Sequence, residues 1–467
     1  MNAKTILLTG GTLLAGLSAC KNTTQEQESP MNVIYILADD LGYGDLSCYG
    51  QQKFQTPNLD RMAAEGMLFT QHYAGCTVSA PSRASLMTWL HTGHTQVRGN
   101  REISPEGQEP MAAGTFTLGK LMQDAGYTTG IFGKWGLGYP GSVSVPGTMG
   151  FDEFYGYNCQ RQAHSYYPSH LWHNNEKVLF PENENNGRAT YSQDLIHAQA
   201  MQFIKNNKNK LFFAMLTYTL PHAEMNLPHD SIYRQFENSF EETPYDGSRG
   251  YTPVEKPNAS FAAMVTRLDN YVGEVLAELN ELGLDKNTIV FFTSDNGPHT
   301  EGGANPDFFK SYGPLKGTKR ALYEGGIRVP FIVWNPQKIK AGTKSDHISA
   351  FWDMMPTLSE LTGTDLPVET DGISLLPTLY SEGKQKEHDF LYWEFHEQGG
   401  RQALRSGNWK LIRQPIVGET ALELYDLSSD LHEDTNLASE YPDKVKELET
   451  LMNNARTESP TFNFGRK

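Results

Sequence analysis

Runs of apolar residues and helical spacings alternate along most of this chain. Val33–Ala38 is a continuous apolar run, and Thr128–Phe132, Leu211–Leu216, Thr288–Thr293 and Arg328–Trp334 read as further strands. Runs of this kind, without polar alternation, suit strands covered on both faces. Between them the apolar period changes to three and four. Thr56-Pro57 offers an N-cap and first-turn proline ahead of Leu59, Met62 and Ala63. Leu118, Leu121, Met122 and Ala125 mark a second helix, and Leu195, Ala198, Met201 and Phe203 a third. The series Phe261, Val265, Leu268, Val272, Val275, Leu276 and Leu279 marks a longer one, ending at Gly283. Strands alternating with helices predict an α/β fold: a large, mostly parallel sheet flanked by helices. After about residue 365 the pattern changes. Phe390–Phe395, Arg405–Ile412 and Leu422–Leu427 read as strands joined by turns, followed by a helix over Tyr441–Ala455. This predicts a small antiparallel subdomain with one helix. The expected organisation is therefore 31–365 as the N-terminal domain and 366–467 as the C-terminal subdomain.

Polar clusters follow the strands. Asp39-Asp40 ends the first, Lys134 follows Thr128–Phe132, Pro221-His222 follows Leu211–Leu216, and Asp295-Asn296 follows Thr288–Thr293. An isolated Asp pair is usually a solvated turn. Four such clusters at the carboxyl ends of successive strands point to one site, because open α/β sheets gather functional groups there. Asp39, Asp40, Asp295 and Asn296 offer only oxygen, a donor set that suits calcium or magnesium rather than zinc. Ser79-Ala80-Pro81-Ser82-Arg83 opens a further helical run. Pro81 fits a first helical turn, which would set Ser79 at a helix N-terminus, where free N–H groups favour an anion, with Arg83 as a fixed cation. Asn158–Asn175 has no clear period and is rich in Arg161, His164, Tyr166, Tyr167, His170 and Trp172; residues 223–257 read as a polar excursion.

Composition narrows the function. With 39 basic and 55 acidic residues the formal charge is −16, which argues against nucleic acid as a partner. No internal run is long enough to span a bilayer. Residues 1–20 read as a signal peptide: Lys4, an apolar Ile6–Leu17, then Leu17-Ser18-Ala19-Cys20. That ending resembles a bacterial lipoprotein box, which implies lipidation of Cys20, a tether over 21–30, and a lipid-anchored protein of the periplasm or cell envelope. Cys48, Cys76 and Cys159 remain, enough for one disulfide at most, and no zinc-type Cys/His spacing occurs.

The ordered motifs resemble the sulfatase family. They comprise Ala38-Asp39-Asp40-Leu41-Gly42-Tyr43-Gly44-Asp45, the Ser79 motif, Gly133-Lys134-Trp135, Pro221-His222 and Ser294-Asp295-Asn296-Gly297-Pro298. Lys319 with Tyr323–Pro330, Asn408–Ile412 and Glu423–Leu427 complete the set. The resemblance implies the sulfatase and alkaline-phosphatase fold. It also implies oxidation of Ser79 to formylglycine (3-oxoalanine) by a serine-type sulfatase-maturing enzyme, and calcium held by Asp39, Asp40, Asp295, Asn296 and residue 79. One hydroxyl of the hydrated aldehyde would attack sulfur, Lys134, Lys319 and calcium would balance the sulfate oxygens, and His222 would help protonate the leaving alcohol. Collapse of the second hydroxyl would expel sulfate. Lys319 rather than Lys316 carries the family spacing to Glu324.

Two positions depart from the family. Gly136 stands where a histidine usually contacts the formylglycine hydroxyl, and Trp89 stands where glycine is common. His164 is the expected substitute for the missing imidazole, with Arg161 one helical turn before it facing the same anion. Arg161, His164, His170, Trp172, His299 and Glu301 are candidates for binding a sulfated carbohydrate, a 4- or 6-sulfated galactose or N-acetylgalactosamine; a loop bonded only to itself is the alternative. Two rival functions remain at this point: a phosphate or phosphonate ester hydrolase of the same superfamily, and an inactive lipoprotein that binds sulfated glycans.

Overall fold

Strand β1 (Asn32–Asp39) is buried at every position, and its alternating side chains explain the layering. Ile34, Ile36 and Ala38 enter one apolar cluster, Val33, Tyr35 and Leu37 another on the opposite face. In this computed structural model, which describes Met1 and residues 30–464, helices cover both faces of the sheet. Helices α1 (Pro57–Glu65), α5 (Ser192–Asn206) and α6 (Pro257–Glu281) contribute Leu59, Ile196, Phe203, Leu268 and Val272 to the first cluster. Helices α2 (Ser79–Thr88), α3 (Leu118–Asp124) and the helix Met354–Thr362 contribute Leu86, Leu121, Met355 and Leu358 to the second. Each such side chain stabilises the fold by about 1.5–3 kcal/mol on burial, which is why a two-faced apolar strand needs both helix layers.

The central strands are β1, β3 (Thr128–Lys134), β7 (Phe212–Pro221) and β8 (Thr288–Ser294). They pair in parallel in the order β8-β1-β7-β3, with Val33 level with both Phe213 and Ile289. The parallel register puts their carboxyl ends at one edge. Strand β4 (Glu153–Tyr157) continues the parallel set beside β3, and antiparallel β5 (His170–His173) and β6 (Glu176–Leu179) close that side. On the other side β9 (Arg328–Trp334) runs antiparallel to β8 and to β2 (Met67–Tyr73). The sheet is therefore mixed and mostly parallel, as expected. The helix over Gln160–Ala163 (α4) and strand β5 lie within the stretch read as aperiodic, 158–175. These elements are too short to show a period. Strand β2 escaped the sequence reading because Met67-Leu68-Phe69-Thr70-Gln71-His72-Tyr73 neither alternates cleanly nor runs continuously apolar.

The C-terminal sheet contains four antiparallel strands, Leu391–Phe395, Arg401–Ser406, Trp409–Gln414 and Ala421–Asp426. The expected single strand over Arg405–Ile412 is two strands joined at Gly407-Asn408; Gly407 takes φ +56, a left-handed turn conformation that glycine adopts without strain. The terminal helix Pro442–Asn454 packs Leu448 and Met452 against Leu404, Leu411 and Leu424. Tyr73, Ile327 and Trp352 of the large domain share a core with Trp393 and Ile412, so the two parts are joined by an apolar interface.

Cys48, Cys76 and Cys159 are free thiols. Among the described residues no helix is long and apolar enough to cross a membrane. The expected signal peptide, lipidated Cys20 and nearly all of the tether lie outside the described residues.

Candidate active site

The carboxyl ends of β8, β1, β7 and β3 deliver Asp295, Asp39, His222 and Lys134 to one place, as the parallel register requires. Asp39 is paired with Pro221 across β1 and β7, which sets His222 one residue beyond it. Asp40 turns out of β1 with φ +61, a conformation Asp tolerates better than most residues, and its backbone N–H donates to Asp295 Oδ1 at 3.1 Å. Ser79 is the first residue of α2. Its Oγ donates to Asp39 Oδ1 at 3.1 Å and accepts from Lys134 Nζ at 3.1 Å; the same ammonium lies 2.6 Å from Asp39 Oδ2. Asn100 Oδ1 accepts from Ala80 N–H at 2.9 Å, tying down the start of that helix.

Arg83 sits beneath this group. Its Nε donates to Asp295 Oδ2 at 3.1 Å, Nη1 to the Lys134 carbonyl at 2.9 Å and Nη2 to Asp39 Oδ2 at 3.4 Å. Asp39, Asp295 and Arg83 are all fully or nearly fully buried. Burial alone would raise the Asp39 pKa, but Lys134 and Arg83 hold it well below the usual carboxylate range. Asp295 is pushed up to about 6 by burial and by the charge of Asp39. Three carboxylates this close store repulsion that a cation would relieve.

Lys319 Nζ donates to Asp40 Oδ2 at 2.8 Å and lies 3.0 Å from His222 Nε2. Burial opposes its charge, but Asp40 and Glu301 raise its pKa to about 12, so it is an ammonium. His222 is lowered to about 4 by burial and by Lys319. It is therefore neutral near pH 7: Nδ1–H donates to the Ala223 carbonyl, and Nε2 accepts from Lys319. A cavity of about 250 Å³ opens above Ser79, lined also by Lys134, Gln160, His164, His222, Glu301 and Lys319. It joins a helix N-terminus, two ammonium groups and an acidic floor, an arrangement fitted to a tetrahedral oxyanion and a cation together.

The Sulfatase family matches residues 31–364, and the C-terminal region of N-sulphoglucosamine sulphohydrolase matches residues 317–458. The chain belongs to the sulfatase family. It is thus a sulfuric ester hydrolase. It is 33% identical to N-acetylgalactosamine-6-sulfatase of Mus musculus, over 82% of this chain and 72% of the relative. It is 29% identical to N-acetylgalactosamine-6-O-sulfatase of Bacteroides thetaiotaomicron, over 97% and 98% respectively. Among solved structures, Ps i-CgsB in complex with k-i-k-neocarrahexaose superposes with a TM-score of 0.78 at 26% identity, covering 93% of this chain and 95% of that one.

The donor set of this sulfatase fits calcium. Asn296 Nδ2 is committed to Asp40 Oδ1 at 2.6 Å and to the Gly297 carbonyl at 2.9 Å, while its Oδ1 is buried without a hydrogen-bond partner among the described residues. An orphaned amide oxygen beside three carboxylates is a hard-cation donor set.

Other expected residues divide into three groups. Glu301 and His164 do reach the cavity. Glu301 bridges Lys319 at 3.4 Å and Arg320 at 2.6 Å, and its carboxylate accepts from Tyr251 Oη at 3.0 Å. His164 stacks on His222 with ring centres 4.7 Å apart, and burial with the neighbouring cations depresses its pKa, so it is neutral. His299 lies behind the wall: Nε2–H donates to the Pro221 carbonyl at 3.1 Å and Nδ1 accepts from Glu301 N–H at 3.1 Å, so it positions both neighbours. Two expectations are corrected: that Arg161 faces the anion, and that His170 binds the sugar. Arg161 is 68% exposed, its nearest ion pair the rim residue Glu102 at 3.9 Å, because one turn of α4 that buries Gln160 and Ala163 directs it outward. His170 is taken by Glu106 at 2.9 Å, which also accepts from Trp172 Nε1 at 2.6 Å, so strand pairing in β5 makes both structural.

Sequence reasoning missed Asn100, Gln108, Gln160, Tyr251, Arg320 and Glu397, all of which line the cavity. None belongs to a motif: Gln160 opens the single turn of α4, the others sit on loops, and Glu397 comes from the C-terminal part of the chain. Trp89 does affect packing: it ends α2 at φ +53, and its Nε1 donates to the Glu369 carbonyl at 2.8 Å. Thr56 precedes α1 but does not cap it through its side chain, which instead bonds to Ser47.

Proposed function

We propose that this sulfatase releases O-sulfate from a carbohydrate, with the 6-sulfate of an N-acetylgalactosamine-type sugar as its substrate class, using formylglycine formed from Ser79 and a calcium ion. The contact that carries the reading is Ser79 Oγ held between Asp39 and Lys134 at a helix N-terminus. The names of the relatives support the sugar. Asp39, Asp40, Asp295 and Asn296 are the residues that would hold calcium, which when bound supplies positive charge to the sulfate oxygens. Once hydrated, the aldehyde at residue 79 supplies one hydroxyl to attack sulfur and a second through which sulfate is expelled.

The chain's own groups do the remaining work. Lys134 Nζ keeps the oxygen of residue 79 in place and neutralises charge growing beside it. Lys319 Nζ, also in the cavity lining, binds a sulfate oxygen. Lys319 donates to His222 Nε2 at 3.0 Å, and in this reading the pair passes a proton to the leaving alcohol. Arg83, sealed under Asp39 and Asp295, bonds to both carboxylates and aligns them. Glu301, Tyr251 and His164 form the wall that meets the sugar. We further read Cys20 as a lipid anchor in the periplasm or cell envelope, and a serine-type maturing enzyme as the partner that oxidises Ser79.

The test uses protein purified from its native cells. The residue-79 peptide should weigh about two hydrogens less than its serine form, a purely covalent change. Sulfate should be released from 6-sulfated N-acetylgalactosamine in the presence of calcium. Phosphate release from the matched phosphate ester with zinc, and none from the sulfate ester, would replace this reading with a phosphatase.

A further inference from the structure

Gly136 lies two residues after Lys134 at φ +76. A Cβ placed there would come within 2.5 Å of Gln160 Nε2 and 2.9 Å of both its Cδ and Oε1. The Gln160 side chain, arriving from α4, thus occupies the volume that a side chain at 136 would need. The two segments are bonded together: Gly136 N–H donates to the Asn158 carbonyl at 3.0 Å, and Gln160 Nε2 donates to the Gly136 carbonyl at 3.2 Å. One end of the Gln160 amide is therefore committed. The other, Oε1, is buried and has no hydrogen-bond partner among the described residues, although Gln160 lines the cavity with Ser79 and Lys134. A buried acceptor left unpaired costs about 1–3 kcal/mol, so a donor that arrives during the reaction would relieve a standing penalty.

Depth selects that donor. Gln160 is 5% exposed, beside Ser79 at 2% and Lys134 at 1%. At the rim, the side chains of Arg320 and Glu102 are 33% and 54% exposed. A sugar enters past the rim, whereas the floor is occupied by residue 79. We propose that Gln160 Oε1 accepts a hydrogen bond from the hydroxyl of hydrated residue 79 that Asp39 does not hold, and orients it for sulfate expulsion. This rests on Ser79 being the formylglycine precursor. A carboxamide accepts a hydrogen bond without taking the proton, so Gln160 is a positioning residue and proton removal falls to a different group.

Three measurements test this. In unmodified protein, Gly136→Ala should lower the melting temperature, and Gln160→Ala added to it should recover part of the loss; strictly additive effects would overturn the shared slot. In matured protein, Gln160→Ala should slow turnover by roughly 10- to 100-fold, the range for losing one orienting partner, with sulfated enzyme accumulating after a burst of alcohol. Gln160→His should restore part of the rate. In the Ser79→Ala background, Gln160→Ala should leave affinity for 6-sulfated N-acetylgalactosamine unchanged. Lost affinity there, with no trapped sulfated enzyme in the matured protein, would overturn the proposal and assign Gln160 to sugar recognition. A residue-79 peptide with the mass of serine in active protein would overturn the formylglycine reading itself, a result independent of the melting measurements.

Discussion

Asn296 donates to Asp40 through Nδ2 at 2.6 Å and keeps its Oδ1 buried and unpartnered among the described residues, beside a carboxylate that is itself ion-paired to Lys319. The pair would supply two of the oxygen donors of the proposed calcium site. Calcium should therefore raise the melting temperature of the protein and a chelator should reverse this; at a thousandfold excess over Kd the linkage is worth about 4 kcal/mol. Asp295→Ala should abolish both the shift and bound calcium in elemental analysis. Stoichiometric zinc in native protein, with no calcium effect, would refute the assignment.

Lys319 and Lys316 are three residues apart but serve different places. Lys319 Nζ meets Asp40 and His222 in the cavity, whereas Lys316 Nζ donates to the Glu433 carbonyl at 2.7 Å and lies over the Tyr323 ring at 4.7 Å. Lys319→Ala should reduce kcat by roughly 100- to 1000-fold, as for a lost oxyanion donor. Lys316→Ala should act on stability and leave kcat within a few-fold. Steady-state kinetics giving the reverse order would show that Lys316 is the sulfate contact.

Tyr251 belongs to the polar excursion, yet its Oη donates to Glu301 at 3.0 Å and its ring lies 5.4 Å from that of His164. Tyr251→Phe should raise KM for a sulfated sugar by a few-fold with little change in kcat, since it alters the wall and not the floor. A kcat loss without a KM change would place Tyr251 in the chemistry.

Lys410 joins the C-terminal sheet to the large domain. Its Nζ is buried, 2.9 Å from Glu324 and 2.9 Å from Glu433. Lys410→Met should destabilise the protein by about 3–5 kcal/mol in denaturant unfolding, because Glu433 is left buried without its cation and Glu324 keeps only Arg328, at 3.3 Å. A loss below about 1 kcal/mol would show that the carboxylates find protons or water at little cost.

His388 Nε2 lies 2.8 Å from Asp353 Oδ1. Burial disfavours its charge, but Asp353, with Asp371 and Asp389 farther off, outweighs that and raises its pKa. His347, whose own pKa is lowered, faces the same group. The sign follows from the raised folded value. The stabilisation is complete below the unfolded pKa of about 6.5 and is lost as pH rises through the higher folded one. His388→Gln should flatten the fall in melting temperature across that window; an unchanged slope would assign it to other groups.

The sequence by itself determined strands β1, β3, β7, β8 and β9 and the central site. Val33–Ala38, Leu211–Leu216 and Thr288–Thr293 are legible because burial on both faces forces continuous apolar runs, and the polar residues directly after them can only emerge at one edge of a parallel sheet. Asp39, Asp40, Lys134, His222, Asp295 and Asn296 are near one another for that reason, while Ser79 joins them from the start of α2 and Lys319 from a turn. Tertiary structure alone decided the cavity wall. Whether Arg161, His164 or Gln160 points inward depends on a single turn of α4, too short to carry a period. Glu397, Asn100 and Tyr251 reach the cavity through packing between segments distant in sequence. The exchange between Gly136 and Gln160 is invisible in sequence, because what matters there is one shared volume approached from two places in the chain.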